Sequence, residues 1–303
     1  MRNPRIHVKG EGFLIKRFET FQRVLFTMPV ILLCAVFLVY PIIQSFHVSL
    51  TDYNGMNRMN FIGFSNYIEL FKSDEFFEVL LNNAYFLLLG VPLSVFLPLV
   101  ISILLYEGVL GHRFFKVAFL LPTVLSVSIV GLLFRFIFAY EGPFNKILTL
   151  TGLDRFAVDW IASGRTSIPL IITAMIWSSF GVNVIIYLAG MATVPTSVYE
   201  SADLDGFSWF GKLFFITLPM IWNVFEFVTI TSIISVCSSM FGYIFNITNG
   251  GPGYESTVLE YLLYIKGFRL NDLGYASAIA MVLLVAIVSI TGGIRKLFAK
   301  GGM

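Results

Sequence analysis

Val79-Leu-Leu-Asn-Asn-Ala-Tyr-Phe-Leu-Leu-Leu-Gly-Val-Pro-Leu-Ser-Val-Phe-Leu-Pro-Leu-Val-Ile-Ser-Ile-Leu-Leu-Tyr106 runs for 28 residues without an Asp, Glu, Lys or Arg. A helix rises 1.5 Å per residue, so about 20 apolar residues cross the ~30 Å hydrocarbon layer of a bilayer. The stretch predicts a membrane-spanning helix. Five further charge-poor runs flank it: Val24 to Thr51, Val117 to Phe134, Thr166 to Tyr199, Phe227 to Tyr254 (extended backward past Glu226 to Leu213) and Leu273 to Ile294. Six spans are expected, at about 24–48, 79–106, 115–139, 168–192, 214–245 and 273–294. The 303 residues are 57% hydrophobic and 13% charged, against ~45–50% and ~25% in soluble domains. The fold class is therefore an all-α integral membrane protein with one membrane domain over 24–298.

Composition excludes much else. The chain has two cysteines, a net charge of +2 and no basic cluster beyond the N-terminus, which sets aside a disulfide scaffold and a nucleic-acid binder. His7, His47 and His112 have no His or Cys partner at ligand spacing, so no metal is expected. No loop is large enough for a catalytic domain, and neither a phosphate-cradling G-x-x-x-x-G-K-[ST] nor H-E-x-x-H nor G-x-S-x-G occurs. The expectation is a non-enzyme that binds no cofactor itself.

Orientation follows from basic residues, which favour the cytoplasmic side of short loops. Arg2, Arg5, Lys9, Lys16, Arg17 and Arg23 form a basic arm over 1–23 ahead of a retained first helix. With that arm inside, the inner segments hold 12 Lys and Arg against 7 outside. A multi-pass protein with both termini cytoplasmic is expected. The weak inner segment is 193–213, whose only basic residue is Lys212. Pro29, Pro41, Pro92, Pro98, Pro122, Pro169 and Pro219, with Gly90, Gly131, Gly181 and Gly242, recur in or beside the spans. Such breaks are tolerated in lipid where neighbours or a cavity satisfy the freed carbonyls, which favours a packed bundle with a pathway over ordinary kinks.

Segment 193–213 carries the functional signal. Pro195 suits a first helical turn, Val194, Val198 and Ala202 share one helical stripe, and Glu200 and Asp203 share another. Gly206 ends this short helix in the left-handed conformation, and Ser208 caps the next, which enters the membrane through Leu213 and Phe214. An interfacial helix on anionic lipid would be rich in Lys and Arg; this one offers Glu200, Asp203 and Asp205, with the small Ser201 and Ala202. A helix that docks on a partner protein is the better reading.

Glu200-Ser-Ala-Asp-Leu-Asp-Gly206, followed by Ile216-Thr-Leu-Pro219, resembles the EAA loop of the permease subunits of binding-protein-dependent ABC importers. Tyr40-Pro-Ile-Ile-Gln-Ser-Phe-His-Val-Ser-Leu-Thr-Asp52, Phe61-Ile-Gly-Phe-Ser-Asn-Tyr67, Phe119-Leu-Leu-Pro122, Thr248-Asn-Gly-Gly-Pro-Gly253 and Leu273-Gly-Tyr-Ala-Ser-Ala-Ile279 are similar to the MalF-like carbohydrate-uptake branch. The likeness covers about residues 24 to 298. The chain departs at Ser201 and Phe207, where alanine is usual, and lacks the proline often found shortly after Leu-Pro.

The resemblance implies a type I importer bundle of six helices in a bacterial plasma membrane, with 193–213 as a cytoplasmic coupling loop. It further implies a second permease subunit in a heterodimer, two cytoplasmic ABC ATPases that bind ATP and Mg, and an extracytoplasmic solute-binding protein. Glu200, Ser201, Ala202, Asp203, Asp205 and Gly206 are then the ATPase-coupling residues. The implied cargo is an oligosaccharide or disaccharide, with glycerol-phosphate or another polar solute as the alternative and a stand-alone secondary transporter as the rival class.

Sugars offer hydroxyls and an apolar ring face, so hydrogen-bonding side chains with aromatic platforms suit them. Asn183, Ser232, Ser235, Ser239, Trp177 and Tyr243 are the candidate pathway residues, although each serine alone also suits helix-to-helix packing. Glu226 and Arg135, ionisable groups in or at the end of spans, carry a default functional expectation; Arg135, near the outer boundary, is expected to snorkel.

Overall fold

The computed structural model describes residues 24–56, 59–108 and 111–301, so the basic arm over 1–23 lies outside the described residues. In chain order the helices are α1 (Val24–Ser49), α2 (Ser65–Leu70), α3 (Asp74–Tyr106), α4 (His112–Leu120), α5 (Val127–Phe138), α6 (Pro143–Leu150), α7 (Gly164–Met191), α8 (Thr196–Leu204), α9 (Trp209–Met220), α10 (Trp222–Ser238), α11 (Phe241–Ile247), α12 (Leu259–Tyr264) and α13 (Leu273–Gly301). Among the described residues, five helical stretches are long and apolar enough to cross a membrane, and α9 with α10 make a sixth if that bent pair is one span. The protein is an all-helical bundle of about six spans.

α7 is the central post. It packs along α3 over most of its length and also meets α4, α5, α10 and α11, burying Ile171, Ala174, Met175, Val184, Tyr187 and Met191. α1 is peripheral: none of its most hydrophobic window is buried, and its main partner is α13. α3 begins earlier than the charge-free run suggests. Ser73 accepts a hydrogen bond from the Phe76 amide at 3.4 Å, and Asp74 and Glu75 sit in the first turn, where carboxylates oppose the positive end of the helix dipole.

Two of the expected spans contain breaks. The run 115–139 forms α4, one 3₁₀ turn over Leu121–Val124, an extended step at Leu125 and Ser126, and then α5. Pro122 supplies no amide to continue the helix, and Ser126 restarts it by accepting from the Ile129 amide at 3.3 Å. The break is pressed against α7 at Gly181, where a Cβ would lie 2.1 Å from the Phe119 carbonyl oxygen. Only glycine permits that approach.

The run 214–245 is also divided. α9 and α10 meet at an 82° bend. Pro219, near the end of α9, removes a backbone donor and crowds the preceding turn, and Ile221 leaves helical geometry. α10 then stops at Ser239 and α11 starts anew. Here Glu260 of α12 accepts the Met240 and Phe241 amides at 2.8 and 2.9 Å. A carboxylate from a distant element thus satisfies donors that a continuous helix would have paired internally.

The segment from Thr248 to Val258 is tied down by amide side chains of α3. Asn82 donates to the carbonyls of Tyr254 and Thr257 at 2.8 and 3.0 Å, and Asn83 accepts from the Leu259 amide at 2.9 Å. These bonds hold the Asn-Gly-Gly-Pro-Gly stretch against the bundle, with Glu255 accepting the Gly164 amide at the start of α7.

Candidate functional site

A cavity of about 440 Å³ lies where α3, the 3₁₀ break, α7, α10 and α11 converge. Ser178, Ser179, Asn183 and Met175 of α7 line one wall, and Phe227, Thr231, Ser232 and Ser235 of α10 the opposite one. Thr123 and Leu125 from the break, Ser94 from α3 and Tyr243 from α11 complete it. Thr123 and Leu125 reach this space from the break between α4 and α5.

The chemistry is uniform. The walls mix hydroxyls, one amide and apolar side chains, with no Asp, Glu, Lys, Arg or His among them. Asn183 donates to the Ser94 carbonyl at 3.1 Å, Thr123 donates to the Ser178 carbonyl at 3.0 Å, and Ser178 is hydrogen-bonded to the Tyr243 hydroxyl. Those bonds hold the lining side chains in place. The Ser94 hydroxyl, by contrast, is buried without a hydrogen-bond partner among the described residues.

Of the expected pathway residues, Asn183, Ser232, Ser235 and Tyr243 come together at this cavity. Trp177 and Ser239 do not. Trp177 lies on another face of α7, with Phe180, Phe119 and Pro122 around a separate cleft of about 380 Å³, and its ring centroid is 5.8 Å from that of Phe134. Ser239 is the exposed residue that closes α10. Ser94, Thr123 and Thr231 are cavity residues that the sequence reading passed over. Phe227, Thr231 and Ser235 recur at four-residue spacing, the signature of one helix face, and that signal was available. Glu226 is half-buried and does not line the cavity, and Arg135 is exposed in the last turn of α5.

At the opposite end of α7, the segment after Met191 forms α8, with Pro195 one position ahead of it at the N-cap. Val194 and Ala202 are buried against the bundle and Val198 is half-buried, so the apolar stripe faces inward. Gly206 has φ +75°, its amide donates to the Asp203 carbonyl at 3.2 Å, and the Phe207 amide donates to the Ala202 carbonyl at 3.0 Å. This pair of bonds closes a helix by the Schellman pattern. Ser208 then accepts from the Gly211 amide at 3.2 Å to start α9.

Exposure sorts the six coupling candidates. Glu200, Ser201, Asp205 and Gly206 are exposed, beside Leu204 at 89% exposure. The other two have partners within the chain. Ala202 is packed into its own bundle, because it shares the stripe of Val194 and Val198. Asp203, although exposed, is held by Lys212 at 2.8 Å. Trp209 donates to the Glu107 carboxylate at 3.2 Å, and these residues with Tyr106 and Tyr199 enclose a small cavity of about 230 Å³. Burial pushes the Tyr199 phenol above the ordinary tyrosine range. Among the described residues, no group of three or more His, Cys, Asp or Glu could hold a metal ion.

No family model matches the chain. The lactose transport system permease protein LacF of Rhizobium radiobacter is 32% identical over 281 residues, 91% of this chain and 94% of that protein. This chain belongs to the ABC transporter permeases. The arabinooligosaccharides transport system permease protein AraP of Halalkalibacterium halodurans is similar to this permease at 30% identity over 302 residues, 98% of this chain and 93% of that one. Among solved structures, a bacterial ABC transporter that imports the acidic polysaccharide alginate superposes on the permease with a TM-score of 0.80 at 23% identity. The match covers 94% of this chain and 99% of that one. The permease is thus a multi-pass membrane protein with the fold of an importer subunit.

Proposed function

We propose that the permease carries a neutral sugar, an oligosaccharide or disaccharide, through the cavity between α7 and α10 into the cytoplasm of a bacterial cell. Its place is the plasma membrane, with both termini cytoplasmic. It works beside a second permease subunit, on two cytoplasmic ATPases that bind ATP and Mg, and receives cargo from an extracytoplasmic binding protein. Relatives that transport lactose and arabinooligosaccharides support this reading, as does the importer fold, solved elsewhere in complex with an alginate-bound periplasmic protein.

The uncharged, hydroxyl-rich lining carries the choice of cargo. A phosphate ester would need a cation or a cluster of amide donors in a site of low dielectric, and the cavity offers neither. Hydroxyls of Thr231, Ser232 and Ser235 can exchange hydrogen bonds with sugar hydroxyls, while Phe227 and Tyr243 offer apolar faces. The machinery is alternating access: closure of the ATPases displaces α8, and the two permease bundles tilt to open the cavity to the other side. Glu200, Ser201, Asp205 and Gly206, with Leu204, form the exposed surface of α8 and its turn that receives the push.

The test is uptake by proteoliposomes holding the complete transporter and its binding protein. Expected is ATP-dependent accumulation of a neutral oligosaccharide or disaccharide and none of glycerol 3-phosphate. Phosphate-ester uptake without sugar uptake would overturn the assignment.

A further inference from the structure

The turn between α8 and α9 is held by more than its backbone. Lys212, one turn into α9, donates to the Asp203 carboxylate in the last turn of α8 at 2.8 Å. Trp209, the first residue of α9, reaches the Glu107 carboxylate at the end of α3, 3.2 Å away. Beneath them the Tyr106 and Tyr199 rings lie 5.8 Å apart, joining α3 to α8 through apolar surface. Three elements are therefore tied pairwise around one glycine turn.

We propose that the Asp203–Lys212 pair braces this turn, so that α8, α9 and the end of α3 move as one piece, and that both residues position the coupling helix without contacting the ATPase. The proposal rests on α8 being the element the ATPase displaces. A glycine at positive φ is a soft joint, because its accessible backbone conformations are many. Gly206 has nothing within 4 Å of its Cβ direction, so no packing stiffens it. Without a cross-brace, a push on Glu200 or Leu204 would be absorbed by rotation at Gly206. The ion pair spans that joint, and the Trp209–Glu107 bond ties the far side to α3.

This assignment also accounts for Lys212. It is the only basic residue of segment 193–213, and its ammonium is turned to Asp203, not spread over a cytoplasmic surface. The Lys212 and Asp203 side chains are 22% and 60% exposed, so the pair is partly screened and contributes modestly to stability. Its importance is geometric: it selects one angle between two helices.

The experiment compares Asp203→Asn, Lys212→Gln and the reversed double variant Asp203→Lys with Lys212→Asp in the full transporter in proteoliposomes. Each single change is expected to lower sugar uptake per ATP hydrolysed by about two- to fivefold, the range of a partly exposed ion pair, while the ATPase co-purifies in unchanged amount. The reversed pair is expected to recover most of that loss. A reversed variant no better than the singles, or single variants that shed the ATPase, would overturn the brace and make Asp203 a partner contact. Cross-linking from Leu204→Cys reports the underlying reading separately. A cross-link to the ATPase with no charge-reversal rescue sinks the brace alone; no cross-link in any nucleotide state sinks the coupling role of α8.

Discussion

Replacing Gly206 by valine separates the coupling turn from the rest of the bundle. Gly206 stands at φ +75° with open space around the position of a Cβ, so a side chain there meets no clash and the cost is conformational alone. Left-handed geometry costs an ordinary L-residue about 1–2 kcal/mol, and a β-branched residue lies at or beyond the upper end. Escaping the strain means giving up the bonds from Gly206 to Asp203 and from Phe207 to Ala202, each contributing about 1 kcal/mol net. Both routes cost about 2 kcal/mol, which disfavours the native turn by roughly thirtyfold at tenfold per 1.4 kcal/mol.

Insertion and bundle packing should survive, since the site is exposed. Asparagine tolerates left-handed geometry better than alanine, and alanine better than valine. Uptake per ATP hydrolysed in proteoliposomes should therefore fall in the order Gly, Asn, Ala, Val. Wild-type substrate-stimulated ATP hydrolysis and uptake by Gly206→Val would refute the account of the turn.

Asn183→Ala and Ser232→Ala should each weaken sugar uptake about three- to tenfold, as expected for one lost hydrogen bond, whereas Ser239→Ala, outside the cavity, should leave it unchanged; concentration-dependent uptake checks all three. Gly181→Ala forces a Cβ onto the Phe119 carbonyl and should destabilise the protein by about 1–3 kcal/mol, read as a lower melting temperature in detergent. Glu260→Ala strands the Met240 and Phe241 amides and should also lower that temperature, by about 1–3 kcal/mol of stability. Glu260→Gln, which keeps an acceptor oxygen, should recover part of that loss.

The long helices were legible because hydrocarbon imposes a length and a charge rule that a sequence must obey. α3 and α7 lie close to where charge-free runs put them, within the few residues that a cap such as Ser73 adds, and α13 starts at Leu273 as its run does but continues past Ile294 to Gly301. The breaks at Leu125, Ile221 and Ser239 were not legible in the same way. Pro122 and Pro219 mark two of them, but a proline also stands inside α7 at Pro169 without ending it. What makes a break is the neighbour that accepts the freed groups, and Glu260 lies about 20 residues beyond the gap it caps. Gly206 and Ser208 were readable because glycine and serine do their work locally. The inward placement of Ala202 was implicit in its spacing from Val194 and Val198. The Asp203–Lys212 contact depended on the angle across Gly206, which no local pattern encodes. Trp177 lies at a different cleft from Asn183: a helix face can be read from periodicity, but which face meets a void cannot.

The chamber beside Asn183 has no fixed charge on its walls. Moving a unit charge across a membrane potential involves about 2.3 kcal/mol per 100 mV; a neutral solute in a neutral chamber involves none. For the neutral cargo proposed above, voltage can therefore neither pull it inward nor trap it there, and the vestibule by itself is indifferent to direction. In the proposed mechanism direction then comes from the order in which the cavity opens to either side, a sequence of events timed by whatever moves α8.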